Sequence, residues 1–312
     1  MKEINLKSDQ MVRAAWMYYV LGNNQNEIAS KLNVSRPVVQ RLIASAKDEG
    51  IVSIGINHPI ASCLDYAELI KEKYQLIECS VVPDDSEESL LDSLAFGGFQ
   101  VVSKYIKGYT GQIIGIGSGK TLKKTVNHIN FRSPDSKCVA LISAMSSSGQ
   151  CNYYDDVPLI LARNITANYY QLPTPRYAST PDEFSVCNGN RVFESVISIA
   201  DKADVIFTGI GSLGKTSPIV KDGFITNEQG NELEKLGSVG EILGRFIDSD
   251  GNVVKCKINS LVTSYDIRRN PCPRIAISGG EDKRKAILAA LKGKWINGLV
   301  TDEHTARWLL TK

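Results

Sequence analysis

Between Asn24 and Lys47 the apolar residues fall into two short groups. Ile28, Ala29 and Leu32 lie on one face of a helix, and Val39, Leu42 and Ile43 lie on one face of a second. Asn33, between them, suits the left-handed conformation of a tight inter-helix turn. Ser35 is placed to cap the second helix, and Pro37 fits its first turn. This pattern predicts a helix-turn-helix with Ser35, Arg36, Gln40 and Arg41 facing outward near the start of its second helix. Such a helix presents its early residues to base edges in the major groove. Arginine suits guanine and glutamine suits adenine, each through a bidentate pair. Lys31 and Lys47 are candidate phosphate contacts.

An amphipathic helix from about Ser8 to Leu21, with Val12, Ala15, Trp16, Tyr19 and Val20 on its inner face, completes a three-helix module. Gly50 follows the second helix of the pair as a stop. Ile51 to Ile56 alternates and predicts a short strand, which His58-Pro59 breaks at a domain boundary. Leu64, Leu69 and Ile70 predict a connecting helix from about Cys63 to Tyr74. The expected organisation is a helix-turn-helix domain over 1–57, a linker helix over 58–75 and a larger domain over 76–312.

From Leu76 the pattern changes. Apolar runs at 76–82, 112–117, 137–143, 204–211, 274–280 and 296–302 are mostly followed by a polar or glycine-rich turn and then a helical period. This alternation predicts a Rossmann-like parallel sheet covered by helices on both faces. Residues 241–257 differ: two alternating runs flank Asp248-Ser-Asp-Gly251, the mark of a small antiparallel hairpin. The fold class is α/β: a small all-α helix-turn-helix domain followed by a larger Rossmann-like parallel-sheet domain with a small antiparallel hairpin.

Composition adds little to this division. The formal charge of the 312 residues is +2. Residues 1–57 hold seven Lys/Arg and five Asp/Glu, and the remainder holds 29 of each, so the excess lies in the helix-turn-helix segment. So few charges require several modules acting together for DNA affinity. The seven cysteines include no C-x-x-C pair, which fits a reducing cytoplasm, and Cys79 and Cys138 sit in apolar runs as expected for buried thiols. Three scattered histidines argue against a zinc site, and no cofactor is expected. No apolar run is long enough to span a membrane.

In parallel sheets, ligands bind beyond the carboxyl ends of strands. Gly115-Ile-Gly117-Ser118-Gly119-Lys120-Thr121 precedes a helix, where glycines admit an anion and Ser118 and Thr121 offer hydroxyls. The upstream glycine has the wrong spacing for a nucleotide-hydrolase phosphate loop. Ser146 and Ser147 lie in a hydroxyl-rich turn, Gly209-Ile-Gly211-Ser212 follows another run, and Lys283 follows Gly279-Gly280. Glu241 is a candidate for sugar hydroxyls and Arg176, after Pro173 and Pro175, for an anion. No G-x-S-x-G or H-E-x-x-H motif is present.

Together the segments QNEIASKLNVSRPVVQRLIASAKDEGIVSI, GIGSGKTL, VGEILGRFIDSDG, ISGGEDKRKAILAAL and NGLVTDEHTARWLL resemble the SorC family of bacterial transcriptional regulators. The resemblance implies a helix-turn-helix module joined to a domain like the sugar-phosphate isomerases of the glucosamine-6-phosphate deaminase type, with catalysis lost. It further implies a homo-oligomer, often a tetramer, that binds double-stranded operator DNA and responds to a phosphorylated sugar or polyol. Gly117, Ser118, Thr121, Glu241 and Lys283 match positions of that family's effector pocket. One segment departs: where the family carries a glycine pair after Val139, this chain reads Ser143-Ala-Met-Ser-Ser-Ser, and Gly149 comes late. A competing expectation is an active sugar-phosphate isomerase or deaminase with an appended DNA-binding module, its base drawn from Asp84, Asp85, Asp155 or Asp156. A third is a regulator whose ligand is a nucleotide or signalling molecule instead of a sugar.

Overall fold

Three helices build the first part of the chain: α1 (Lys2–Tyr19), α2 (Gln25–Leu32) and α3 (Arg36–Asp48). The computed structural model describes residues 2–52, 60–83, 87–151, 156–214 and 217–312, and the chain divides between His58 and Pro59 into two units. Asn24 starts α2 with a reciprocal capping box: its Oδ1 accepts from the Glu27 amide at 3.1 Å, and Glu27 Oε2 accepts from the Asn24 amide at 2.9 Å. Asn33 ends α2 in the left-handed region, with φ of 54°. Ser35 precedes α3 in extended conformation, but its hydroxyl makes no capping hydrogen bond. Ile28, Val39, Leu42, Ile43 and Ala46 form the core with Met11, Ala14 and Ala15 of α1.

The inner face of α1 therefore differs from the expected one. Only Ala15 of the predicted set is buried, and Val12, Trp16, Tyr19 and Val20 are exposed. The helix also begins earlier than the pattern implied. The expected strand over 51–56 falls mostly outside the described residues. Ile51 and Val52, which are described, are not in a strand.

The second unit opens with α4 (Ile60–Tyr74), which buries Cys63, Ala67 and Ile70 against β1 (Glu78–Val82) and α14 (Glu303–Leu310) and exposes Leu64 and Leu69. In chain order follow α5 (Glu87–Ile106), β2 (Ile113–Ile116), α6 (Lys120–Asn127), β3 (Lys137–Ala140), α7 (Val157–Ile165), β4 (Asn168–Tyr170), α8 (Pro181–Asn188) and α9 (Arg191–Ala200). Next come β5 (Val205–Thr208), β6 (Gly211–Ser212), α10 (Pro218–Lys221), α11 (Asn227–Lys235), β7 (Gly240–Ile242) and β8 (Arg245–Ile247). The chain closes with α12 (Lys257–Ser260), β9 (Arg274–Ile277), α13 (Arg284–Lys292), β10 (Gly298–Asp302) and α14.

Seven strands form one sheet in the order β1-β10-β9-β5-β2-β3-β4, every neighbouring pair parallel. Alternate side chains enter opposite cores, as strand pleating requires. Ile275 and Ile277 of β9 join the α5–α6–α7 side with Phe207, whereas Ala276 joins the α4–α9–α13–α14 side with Ile206 and Leu299. The fold class is thus the α/β one that the alternation predicts. β4 is short and carried no comparable apolar run.

A second, antiparallel sheet has the order β6-β7-β8. Its first tight turn is Leu243-Gly244, both at positive φ (50° and 78°), ahead of the Asp248–Gly251 turn expected from the sequence. That segment makes a further turn, closed by an isolated bridge between Ile247 and Val253. Asp248 holds it by accepting from the amides of Asp250 and Asn252 at 2.9 Å.

Sheet topology fixes where a ligand fits. From β2 the chain steps outward through β3 and β4, then returns to place β5 on the other side of β2 and continues away through β9 and β10. The strand order reverses between β2 and β5, and crevices open at the carboxyl ends of strands at such a point.

Candidate DNA-binding surface and effector cleft

All six candidate DNA contacts are exposed: Lys31 on α2, Ser35 before α3, and Arg36, Gln40, Arg41 and Lys47 on α3. Arg36 Nε donates to Gln25 Oε1 at 3.3 Å, tying the first residue of α3 to the first of α2. Lys31 Nζ donates to Asn23 Oδ1 at 3.0 Å. Both bonds are solvent-exposed, so each orients its cation at little cost if DNA replaces it. Gly50, at φ of 71°, ends the recognition segment by donating to the Lys47 carbonyl at 3.1 Å.

In the second unit a cleft of about 120 Å³ opens at the β2/β5 reversal. Ser118, Gly119, Lys120, Thr121 and Leu122 line one side, at the start of α6. Gly119 is the N-cap at φ of 124°, a conformation closed to most side chains. The first-turn amides of α6 have no partner within the helix and carry the positive end of its dipole. Opposite lie Thr208 at the end of β5, Gly209 to Ser212 beyond it, Glu241 of β7, Leu243 of the turn that follows, and Lys283. Glu241 Oε2 accepts from the Gly244 amide at 2.7 Å, and Ser212 Oγ donates to Asp282 Oδ2 at 2.9 Å. Gly211 pairs with Glu241 across β6 and β7, and a methyl group there would collide with the Glu241 carboxylate.

Arg176 forms part of the wall. It is buried, its Nε donates to the Ser143 carbonyl at 3.0 Å, and its guanidinium lies 3.5 Å from the Phe224 ring centre. Such stacking of a desolvated guanidinium on an aromatic face is attractive and holds its plane. Asp222 lines the cleft beside Phe224. Burial pushes the Lys283 ammonium below its ordinary value near 10.5; Asp282 and Glu241 oppose this and Lys120 adds to it. Asp302 fixes the loop ahead of Lys283: Oδ2 accepts from the Gly280 amide at 2.8 Å while Oδ1 caps α14 through Thr305 at 2.7 Å.

Six of the nine predicted effector residues line this cleft: Ser118, Gly119, Thr121, Arg176, Glu241 and Lys283. Gly117 lies just before it, where a methyl group would meet Leu243 at 2.9 Å. Ser146 and Ser147 are not among the lining residues. Ser146 Oγ bonds to Ser148 Oγ at 2.8 Å, and Ser147 lines a separate cavity of about 520 Å³ that also touches Tyr177, Phe224 and α11. Lys120, Asp222 and Phe224 were not predicted. Lys120 was visible in its Gly-Lys-Thr context, whereas Asp222 and Phe224 follow no local motif.

Of the carboxylates considered for an isomerase, Asp84, Asp85 and Asp155 lie outside the described residues. Asp156 pairs with Lys123 at 3.0 Å and does not line the cleft. All seven cysteines are free. Cys138 is buried and Cys79 half-buried, and burial pushes both thiols up to about 12. Among the described residues no group of three or more His, Cys, Asp or Glu could hold a metal ion, and no helix is long and apolar enough to cross a membrane.

A helix-turn-helix followed by a parallel-sheet domain with a cation-lined cleft at its strand-order reversal defines a ligand-responsive transcriptional regulator. Comparison with known proteins agrees. The family model described as "Putative sugar-binding domain" matches residues 58–311. The erythritol catabolism regulatory protein EryD of Brucella abortus is 30% identical over 302 residues, covering 96% of this chain and 95% of its own. The deoxyribonucleoside regulator of Bacillus subtilis is 28% identical over 309 residues, covering 97% and 98%. The crystal structure of the full-length sorbitol operon regulator SorC of Klebsiella pneumoniae superposes with a TM-score of 0.72 at 28% identity, covering 99% of this chain and 100% of that one. The chain belongs to the SorC family of sugar-responsive transcriptional regulators.

Proposed function

We propose that a phosphorylated sugar or polyol bound in the cleft controls how a homo-oligomer of this chain grips double-stranded operator DNA of a carbohydrate-catabolic operon in the cytoplasm. One observation carries the reading: the cleft joins an anion-attracting helix start, Lys120, Lys283 and Arg176 to two carboxylates, Asp222 and Glu241. The cationic side suits a phosphate. The carboxylates suit hydroxyls, which donate to them. The relatives named for erythritol, deoxyribonucleosides and sorbitol support a polyhydroxylated ligand. Arg36, Gln40 and Arg41 read bases in this scheme, Ser35 approaches the duplex through its uncapped hydroxyl, and Lys31 and Lys47 touch phosphates. In this reading the chain binds its effector without converting it, which the relatives named as regulators support.

Thermal denaturation against a panel of sugar phosphates and their unphosphorylated counterparts tests this. At one hundred times its dissociation constant a ligand adds about 2.7 kcal/mol, which raises the melting temperature by about 5 °C or more in a domain of this size. The phosphorylated form should stabilise and the free sugar should not. Equal stabilisation by both would remove the phosphate from the proposal, and steady conversion of a stabilising compound would restore the isomerase reading.

A further inference from the structure

The second cavity, of about 520 Å³, shares Phe224 with the effector cleft and is more than four times its volume of about 120 Å³. Its size suits a small organic molecule. Tyr177, Ala178, Ile225, Leu233 and Leu261 form its buried lining. The Tyr177 hydroxyl donates to the Gly244 carbonyl at 2.7 Å, so this lining has no side-chain donor to spare. Water in such a place lacks the two to four polar partners that hold it, and an apolar body displaces it favourably. The two charged lining residues, Glu232 and Lys257, are exposed and of opposite sign, so the mouth selects no net charge.

Both aromatic residues of this cavity also hold a charged residue of the effector cleft. The Phe224 ring stacks on the Arg176 guanidinium at 3.5 Å. Tyr177 follows Arg176 in the chain, and the two consecutive residues line different cavities. The Gly244 that accepts from Tyr177 donates its own amide to Glu241 Oε2 at 2.7 Å. The contact is close: a methyl group on Gly244 would lie 3.0 Å from the Tyr177 oxygen. We propose that the cavity is a second binding site, for an uncharged molecule with an aromatic or branched hydrocarbon body, and that its occupation changes the affinity of the effector cleft. An occupant packed on both rings restrains them, and with them Arg176 and Glu241. Effector binding must then change the affinity of the second molecule by the same factor. The coupling rests on the effector reading given above, whereas the second site does not.

Cys256, half-buried in the cavity lining, provides the test in the full-length chain. The protein is equilibrated with dibenzyl disulfide and bis(2-hydroxyethyl) disulfide under 2-mercaptoethanol, and the mixed disulfides are mapped by peptide mass. The exposed Cys151, outside the cavity, reports capture without selection. The ratio of benzyl to hydroxyethyl should be at least about tenfold higher at Cys256 than at Cys151. Equal ratios overturn the proposal, and so does a Cys256 that neither reagent reaches because a second copy of the chain covers the cavity. The benzyl-capped chain should melt no lower than the hydroxyethyl-capped one; a lower melting temperature would mean that the ring displaces packed side chains, and also overturns the site. Inorganic phosphate, titrated by calorimetry, then probes the cationic side of the effector cleft. Its affinity should differ at least about fivefold between benzyl-capped and uncapped chains, and Cys256→Ser given the same treatment should show no difference. Equal affinities in the wild-type chain overturn the coupling. If phosphate binds neither form while benzyl is enriched at Cys256, the effector reading and the coupling fall and the second site stands.

Discussion

The two units assemble their functional residues in different ways. The candidate DNA contacts lie between Lys31 and Lys47, on one helix pair whose turn and caps are set by adjacent residues. The candidate effector cleft gathers residues from Ser118 to Lys283, delivered by eight separate segments to one end of a parallel sheet. A local site follows from helical periodicity and capping. A distributed site follows from strand order, which emerges only once every strand has found its neighbours. The first should therefore fail residue by residue, and the second should fail also when its scaffold shifts.

The largest expected effect is at the local site. Arg36→Ala, Gln40→Ala and Arg41→Ala together remove up to three base-reading groups, each worth about 1–3 kcal/mol of discrimination if bidentate. Specific operator affinity should drop at least about a hundredfold in fluorescence anisotropy, towards that for unrelated duplex. All three side chains are exposed, so melting temperature and its rise with effector should not change. A loss of effector response in the same variant would mean the two sites are not separable in this way.

A scaffold change at the distributed site comes next. Gly211→Ala replaces none of the nine predicted effector residues, yet its methyl group would collide with the carboxylate of one of them, Glu241. Displacing a charged acceptor from the effector's hydroxyls should cost about 1.5–3 kcal/mol, or roughly 10- to 150-fold in affinity by calorimetry. Operator binding without effector should be retained. Unchanged effector affinity would show that Glu241 does not touch the ligand.

The same contrast explains what was legible. Asn33, Pro37 and Gly50 act within a turn of their own positions, so the helix-turn-helix could be read directly. Ser118, Gly119 and Thr121 were equally readable because a strand-loop-helix is local. Phe224 and Asp222 belong to the cleft only because β5 returns beside β2, which no pattern around them records. Ser146 and Ser147 misled for a related reason: a hydroxyl-rich turn can satisfy itself, as Ser146 and Ser148 do. On α1 the periodicity was real but ambiguous. The helix has two apolar faces, and Met11, Ala14 and Ala15 face the core while Val12, Trp16 and Tyr19 face out. An apolar period marks a face for burial without saying against what.

The smallest effect is a proton, and it distinguishes a phosphate beside Lys283 from a neutral ligand in the same place. Burial already holds the Lys283 ammonium below its ordinary value near 10.5. In the free protein the unfolded chain therefore binds the extra proton between that lowered value and 10.5, and stability from this group rises with pH across that window. A phosphate reverses the preference by favouring the ammonium. Binding should then take up a fraction of a proton at pH near the lowered value, and affinity should fall as pH rises through it. Calorimetry in buffers of different ionisation enthalpy reads that uptake directly. Lys283→Arg keeps the cation but does not titrate in this range, so it should bind with no proton uptake on the alkaline side and a flat affinity there. Uptake that persists in Lys283→Arg would place the proton on another group, and a wild-type chain that takes up none would argue that the anionic end of the ligand lies away from Lys283.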